Sequence, residues 1–423
     1  MLKYFVDTTE ALITAAVISG LVMGYAKASN GKKGGVTVLI GIICGIIGAG
    51  IMAYMKNATK KIDTSLWNLR NFSVSLVSLV IFFIFVIISA VLKKNKPKAA
   101  DIISYSSCIL LSLITASALF YSLPDIFTYP YSILLVEKSV LSTTFILKFI
   151  GILLGIIFVF LMGLALNRGS ERTGRNIALA VMSMALCINA ARQLSVCLRV
   201  MLTKRMIEKT DLLFEIAKFS SNNERLFIYG GLAAGFVVPV VLLIKSLNVR
   251  EPYSNPAEHR KIRRKWIISK HWAAFASVCI AFSLVDITAM KAAANKVVEL
   301  SPVEDAQVVG DSVYVTFEQV ADGHLHRFGY TTDNGVQIRF IVIKKPNSSS
   351  YGIGLDACDI CGETGYYEKD GQVVCKLCDV VMNINTIGFK GGCNPIVISY
   401  TIDNGNIIVP IEGLLEYEHE FKN

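Results

Sequence analysis

About eight blocks of some 20 mostly apolar residues fill the first two thirds of this 423-residue chain and limit the folds open to it. A helix needs about 20 apolar residues to cross the hydrocarbon core of a bilayer. We therefore predict a polytopic α-helical membrane bundle with spans at residues 9–28, 34–55, 72–92, 102–122, 143–166, 177–202, 226–247 and 272–291. Beyond it the sequence turns mixed and polar. This predicts a transmembrane domain at 1–291 and a small β-rich, water-soluble domain at 297–423.

The composition excludes two broad classes of protein. Hydrophobic residues make up 53% of the chain and charged residues 17%, and the mean hydropathy is +0.53. Soluble domains carry about 25% charged residues, and disordered chains are poor in apolar residues. A wholly soluble protein and a disordered one are both excluded.

The Lys and Arg residues between the spans predict the orientation of the bundle. The connections 1–2, 3–4, 5–6 and 7–8 hold 17 of them, against 11 for the N-terminus and the other connections. Cytoplasmic loops carry the excess of basic residues. We expect a multi-pass membrane protein with both termini, and hence the C-terminal domain, outside the cytoplasm.

The net charge of +10 points to lipid headgroups and not to nucleic acid. The basic residues sit in short segments between apolar blocks, where they determine membrane topology and attract anionic lipids. We expect the bilayer as a partner and no nucleic acid.

The polar C-terminal segment predicts β-strands. Residues 313–319, 324–330 and 336–343 are rich in β-branched and aromatic side chains. Asp322-Gly323 and Asp333-Asn334-Gly335 lie between them and predict two hairpin turns. Residues 292–312 are predicted to be a short connection.

Five cysteines of the C-terminal segment form the strongest functional signal: Cys358, Cys361, Cys375, Cys378 and Cys393. The first four make two Cys-x-x-Cys pairs, and a two-residue spacer lets both sulfurs of a pair approach one metal from a tight turn. Gly362 follows the first pair and tolerates the positive φ that such a turn requires. The other five cysteines, Cys44, Cys108, Cys187, Cys197 and Cys279, lie inside spans and are expected to be buried hydrophobic residues.

The spacing does not name the metal. Four thiolates fit a structural zinc ion as in zinc ribbons, a single iron or an iron–sulfur cluster, and disulfides remain an option in an oxidising compartment. The odd thiol, Cys393, argues against complete disulfide pairing and against a plain four-thiolate zinc site. It would be an alternative cluster ligand, a reactive thiol or a buried residue.

At these cysteines the sequence resembles the FtrD-like membrane iron–sulfur proteins over roughly residues 300–415. The resemblance is carried by the runs 326–330 (HRFGY), 336–344 (VQIRFIVIK), 352–362 (GIGLDACDICG), 365–367 (GYY), 374–378 (VCKLC), 384–388 (INTIG) and 391–395 (GGCNP). It implies a membrane protein with an iron–sulfur cluster that transfers electrons in bacterial iron uptake. Its partners would be an iron permease and extracytoplasmic iron- or copper-binding proteins. By the same resemblance, the four paired cysteines are the cluster ligands and Cys393 is a further candidate.

Ionisable residues inside spans are costly and are candidates for function. Glu10 lies in span 1, Asp286 in span 8, and Arg192 and Arg199 in span 6. They are predicted to form a polar cavity for a cation, a quinone or a partner, or else to make ion pairs between helices. His324 and His326 alternate on one predicted strand, where they would bind a second metal together or lie exposed on a hairpin.

Other chemistries lack their motifs. The five histidines are His259, His271, His324, His326 and His419, so the spans hold no bis-histidine haem site. No Walker lysine loop, dinucleotide glycine motif or nucleophile elbow occurs in the sequence. The leading hypothesis is a redox component; its rivals are a transporter component with a structural zinc ribbon and a thiol–disulfide relay through Cys358 and Cys361.

Overall fold

The computed structural model describes residues 1–59, 62–137, 140–208, 210–247, 249, 251–294, 299–346, 348–369, 371–378, 380–390 and 393–422. The chain divides into two compact units, Met1–Asn295 and Lys296–Asn423. The first is helical and the second is built from small antiparallel sheets.

The helical unit contains seven helices long and apolar enough to cross a membrane, counted over its described residues. Its helices are α1 (Leu2–Thr59), α2 (Thr64–Asn95), α3 (Pro97–Ser122), α4 (Pro124–Glu137), α5 (Thr143–Thr173), α6 (Arg175–Thr203), α7 (Asp211–Asn222), α8 (Glu224–Leu247), α9 (Pro256–Val285) and α10 (Lys291–Ala294). A π-helical turn, Asp286–Met290, joins α9 to α10. The predicted polytopic helical membrane fold is confirmed.

Helix α1 is two helices joined at a break. A straight helix of 58 residues would be about 87 Å long at about 1.5 Å per residue, nearly three times the bilayer core of about 30 Å. The break lies at Asn30 (φ −123°, ψ 15°) and Gly31 (φ 59°, ψ −143°), between predicted spans 1 and 2. Glycine adopts this left-handed conformation without steric cost. The two arms of α1 therefore supply two of the eight predicted spans.

Small residues let the arms of α1 pack closely against other helices. A Cβ placed on Gly20 of the first arm would lie 2.6 Å from the carbonyl oxygen of Gly163 in α5. One placed on Gly41 of the second arm would lie 2.4 Å from the carbonyl oxygen of Ser112 in α3. In a bilayer such close contacts drive helix association. The first arm is the buried centre of the bundle, with Ile13, Leu21 and Ala26 fully inaccessible.

Three connections differ from the prediction because helices occupy them. Helix α9 begins at Pro256, not at residue 272, so most of the basic stretch before span 8 is helical. The Asn255 side chain caps this helix by accepting a hydrogen bond from the amide of Glu258 (2.8 Å). Short helices α4 and α7 likewise lie in the connections 4–5 and 6–7.

The described residues of the C-terminal unit form ten strands: β1 (Gln307–Val309), β2 (Ser312–Thr316), β3 (His326–Thr331), β4 (Gln337–Lys344), β5 (Tyr351–Leu355), β6 (Tyr366–Lys369), β7 (Gln372–Cys375), β8 (Val381–Met382), β9 (Thr401–Asp403) and β10 (Asn406–Pro410). They form three sheets in the orders β1-β2-β10-β9, β3-β4-β5 and β6-β7-β8. Adjacent strands pair in the antiparallel sense throughout.

One predicted hairpin is confirmed and the other is wrong. Strands β3 and β4 pair across Asp333-Asn334-Gly335, and Gly335 has the expected positive φ of 78°. Strand β2 does not continue into β3 through Asp322-Gly323; it pairs with β1 and β10. The reason is burial, because Val313 and Val315 of β2 share a core with Ile407 and Val409 of β10. Strand β1 lies within residues 292–312, which the sequence predicted to be a short connection.

The C-terminal unit has two separate hydrophobic cores. The larger core is centred on side chains such as Phe328, Phe340 and Ile353 and contains no cysteine. The smaller core contains Cys358 and Cys375 together with Ile341, Val373 and other apolar residues. The cysteine cluster therefore has its own apolar surroundings, apart from the main core.

Candidate metal centre

The first Cys-x-x-Cys pair sits in a tight turn after β5. The amide of Cys358 donates to the carbonyl of Gly362 (3.2 Å), and the amide of Gly362 donates back to the carbonyl of Cys358 (2.9 Å). Gly362 has φ 63°, as the motif predicts. The amide of Cys361 donates to the Cys358 sulfur (3.2 Å). This turn directs both sulfurs to the same side, the geometry in which cysteine pairs bind metals.

The second pair begins at the end of β7. Cys375 is the last residue of that strand and pairs with Tyr366 of β6. Its amide donates to the carbonyl of Val380 (3.0 Å), which closes the turn that carries Cys378. The strand fixes Cys375 inside the smaller core, where it is 1% exposed, and leaves Cys378 partly exposed.

The five thiols converge. Cys358, Cys361 and Cys375 have sulfurs within 4.8 Å of one another, and so do Cys361, Cys378 and Cys393. Cys361 belongs to both groups, and the sulfurs of Cys378 and Cys393 lie 3.6 Å apart. A tetrahedral ion bound at about 2.3 Å from each sulfur holds neighbouring sulfurs about 3.8 Å apart. The donor set therefore fits a thiolate-bound metal centre. Gly391 and Gly392 of the predicted Gly-Gly-Cys turn lie outside the described residues.

Without a cation the thiols of Cys361 and Cys375 favour their neutral form. Burial raises the pKa of Cys361, and the neighbouring thiols of Cys378 and Cys375 raise it further. Burial likewise raises the pKa of Cys375, against backbone hydrogen bonds that lower it. Thiolates are the metal-binding form, so a bound cation would have to displace these protons.

Tyr366 connects the cluster to the rest of its unit. It is 1% exposed, and its hydroxyl donates to the carbonyl oxygen of Cys393 (2.7 Å). Its amide donates to Asp356 Oδ1 (2.8 Å) and its carbonyl accepts from Arg327 Nη2. Burial raises the pKa of Tyr366 far above its usual value, which keeps the hydroxyl available as a donor. The Tyr366 side chain thus links Cys393 to strand β6.

A buried ion pair lies beneath the cluster. Arg327 Nε donates to Asp356 Oδ2 at 2.8 Å, with the side chains 1% and 0% exposed. Arg339 Nε lies 3.2 Å from the same oxygen, and Arg327 also donates to the carbonyl of Ser301. These residues were not predicted. The signal available in the sequence was an arginine inside an apolar strand and an aspartate two positions before Cys358.

His324 and His326 have separate carboxylate partners. His324 Nδ1 lies 2.9 Å from Glu368 Oε1. The two ring nitrogens of His326 are engaged by Glu304 (3.0 Å) and Asp322 (2.8 Å). Because both nitrogens of His326 are occupied and the two rings bind different acids, the structure does not bring these histidines together as a metal site.

Three of the four predicted intramembrane residues lie around one polar region. Glu10 pairs with Lys291 and lies 3.8 Å from Arg225. Glu10 and Arg192 line the same cavity of about 540 Å³, and Asp286 is bonded by Thr9, next to Glu10 in the chain. Arg192 Nε lies 3.3 Å from Glu224. Arg199 does not line this cavity; it donates to Ser221 (3.1 Å).

Asp286 is the most buried of these groups. It is 0% exposed, begins the π-helical turn, and its Oδ1 has no hydrogen-bond partner among the described residues. Single π-helical turns inside α-helices occur frequently at functional sites.

The cysteines of the bundle were all predicted to be buried, and the structure confirms this for three of the five. Cys108, Cys197 and Cys279 are buried, whereas Cys44 and Cys187 are exposed on the surface of the helices.

Comparison with known families bears on the C-terminal unit. Residues 320–421 match the family model described as "Membrane iron-sulfur containing protein FtrD-like". The matched segment contains all five clustered cysteines, and the match confirms the resemblance seen in the sequence. No curated protein and no solved structure matches the chain.

Proposed function

We propose that this protein is a membrane-anchored iron–sulfur electron-transfer protein that supports bacterial iron uptake beside an iron permease. The observation that carries the proposal is the convergence of five thiols in two groups that share Cys361, within a segment that matches a membrane iron–sulfur family. The multi-pass bundle would place this centre at the surface of the cytoplasmic membrane. Both termini and the FtrD-like segment would be extracytoplasmic, where iron- or copper-binding proteins are accessible as partners.

The five cysteines would have two roles, to hold the cluster and to determine which side of it is accessible. Cys358, Cys361, Cys375 and Cys378, with Cys393 as the further candidate, would hold the cluster. When bound, the cluster supplies reversible one-electron chemistry whose potential depends on hydrogen bonds, burial and net charge. Cys358 and Cys375 are 1% exposed and exclude water from one side. Cys361, Cys378 and Cys393 are only partly buried, which leaves an edge where a redox partner can approach.

The experiment is spectroscopic and uses the full-length protein purified anaerobically. We expect visible absorption, an EPR signal on oxidation or reduction, and iron with acid-labile sulfide in stoichiometric amounts. All three are expected to disappear in Cys361→Ser and to persist in Cys187→Ser, whose thiol lies on the bundle. A colourless, EPR-silent protein with one zinc per chain would contradict the proposal.

The alternative is a transporter component with a structural zinc site. It is favoured by the cavity that contains Glu10 and Arg192 and by the buried, incompletely bonded Asp286. On this alternative, Glu10→Gln, Asp286→Asn and Arg192→Gln abolish radio-iron uptake in cells while the metal content of the purified protein stays unchanged. On the electron-transfer proposal, the cysteine variants abolish uptake together with the spectroscopic signal.

A further inference from the structure

We propose that the crevice between the two arms of α1 and helix α5 binds an anionic phospholipid, with an acyl chain along the crevice and the phosphate at Lys27 and Lys32. This proposal is independent of the metal centre. It assigns a ligand to a part of the bundle outside the polar region around Glu10.

The crevice has the dimensions of a lipid chain. It has a volume of about 610 Å³ and contacts the first arm from Leu12 to Lys27. At about 1.5 Å per residue, this stretch is about 22 Å long. Ligand pockets fall between about 300 and 1,000 Å³. The crevice is therefore an elongated site for one chain and not a compact pocket for a ring system.

Its walls are apolar and reach the outer surface of the helices. The second arm contributes Val36 and Leu39, which are 55% and 47% exposed, and α5 contributes Phe160, which is 68% exposed. In a membrane-spanning bundle, exposed apolar side chains face the hydrocarbon core. A lipid chain can therefore enter sideways from the bilayer.

The polar groups are concentrated at one end. Apart from Ser19, the polar side chains that line the crevice are Lys27, Lys32 and Asn167. Lys27 Nζ donates to Asn167 Oδ1 (3.3 Å), which ties this cation to α5, and Lys32 follows the break at Gly31. Glu171, at the same end of α5, already pairs with Arg168 (3.8 Å). Two lysines thus line the end of the crevice where the chain turns between two spans. Basic residues at the ends of spans lie near the lipid headgroups.

This charge distribution favours an anionic lipid over a zwitterionic lipid or a neutral quinone. Basic pockets between transmembrane helices bind anionic headgroups. A zwitterionic lipid would gain the apolar contacts but little from the lysines, because its own cation opposes them. A neutral quinone would leave both ammonium groups without a counter-charge.

The experiment measures binding of dioleoyl phosphatidylglycerol and dioleoyl phosphatidylcholine to the full-length protein in detergent by native mass spectrometry. These lipids have the same chains and differ in headgroup charge. We expect phosphatidylglycerol to bind at least about tenfold more tightly. The preference is expected to vanish in Lys27→Gln/Lys32→Gln and to remain in the control Lys93→Gln/Lys94→Gln, whose lysines end α2 and do not line the crevice.

A second variant tests the apolar part. Leu39→Trp fills the crevice from an exposed position and is expected to weaken binding of both lipids. If the double lysine variant does not fold, Lys32→Gln alone carries the charge test, because Lys32 is exposed. Equal binding of both lipids, an unchanged preference in the folded lysine variant, or a co-purified quinone in the crevice would overturn the proposal. Excess inorganic phosphate should not displace the lipid.

Discussion

The hydroxyl of Tyr366 donates a 2.7 Å hydrogen bond to the backbone carbonyl of Cys393. Tyr366 belongs to β6 and faces the two Cys-x-x-Cys turns, whereas Cys393 follows Cys378 by 15 residues. This hydrogen bond holds the backbone of Cys393 near the other four cysteines and leaves its sulfur free to bind a metal.

Tyr366→Phe removes this hydrogen bond and keeps the ring. We expect the free energy of unfolding of the C-terminal unit to fall by about 1 kcal/mol, because the part-buried carbonyl of Cys393 loses its partner. Hydrogen–deuterium exchange should increase at the amides of Cys393, Asn394 and Ile396, and the metal content should be retained. Tyr400→Phe, at an exposed position, is the control and should leave exchange unchanged. Equal exchange in all three proteins would show that the contact does not hold Cys393.

Serine substitutions should rank the five thiols. We expect Cys361→Ser to lose the most metal, since its sulfur lies in both three-thiol groups. Cys393→Ser should lose less than any variant of the four paired cysteines. Metal and acid-labile sulfide per chain are the measurements, and Cys44→Ser and Cys187→Ser are matched controls on the bundle surface. Full metal content in Cys361→Ser would show that the Cys361 sulfur is not a ligand common to the two three-thiol groups.

The buried ion pair predicts a large loss of stability. Asp356→Ala leaves Arg327 buried without its carboxylate, and breaking a buried pair from one side costs about 3–5 kcal/mol. Exchange protection of β4 and β5 in the full-length protein measures the effect. Asp359→Ala changes an exposed aspartate in the same turn and should have little effect. Similar protection in both variants would mean that the pair contributes little to folding.

The histidine–carboxylate pairs predict loosening at higher pH. The hydrogen bond that the His324 ring donates to the Glu368 carboxylate raises the pKa of His324. Burial lowers the pKa of His326, but Asp322 and Glu304 together raise it further than burial lowers it. A histidine whose folded pKa exceeds its unfolded value of about 6.5 stabilises the fold fully below that value and loses this effect as the pH rises through the folded pKa.

The amide of Leu325 reports this transition, because it donates to Glu368 Oε2 (2.9 Å). After correction for intrinsic exchange, we expect it to be better protected at pH 5.5 than at pH 8.5. Glu368→Gln should abolish the difference. Glu416→Gln, at an exposed position away from both histidines, should preserve it. Constant protection across this range in the unsubstituted protein would contradict the assignment.

Sequence and structure agree where a local rule decides the outcome. The bilayer requires long apolar helices, so hydropathy located the spans. Asp333-Asn334-Gly335 and the two cysteine turns follow from local backbone preferences. The pairing of β2 with β10 joins residues far apart in the chain, such as Val313 and Val409, which are 96 positions apart, and no turn motif encodes it. Arg327 lies near the start of β3 and Asp356 directly follows β5. The sequence does not predict that they pair, because the pairing depends on how the sheet is assembled. The metal-binding role of the cysteines stays a prediction.

The separation of the two cores in the C-terminal unit has a consequence for the life of the protein. The larger core is built from Phe328, Phe340 and their neighbours and uses no sulfur ligand. This core can therefore become ordered before any metal is bound. On the proposed function, the metal centre would be loaded late in maturation, and a centre destroyed by oxygen would be rebuilt in place, without synthesis of a new chain.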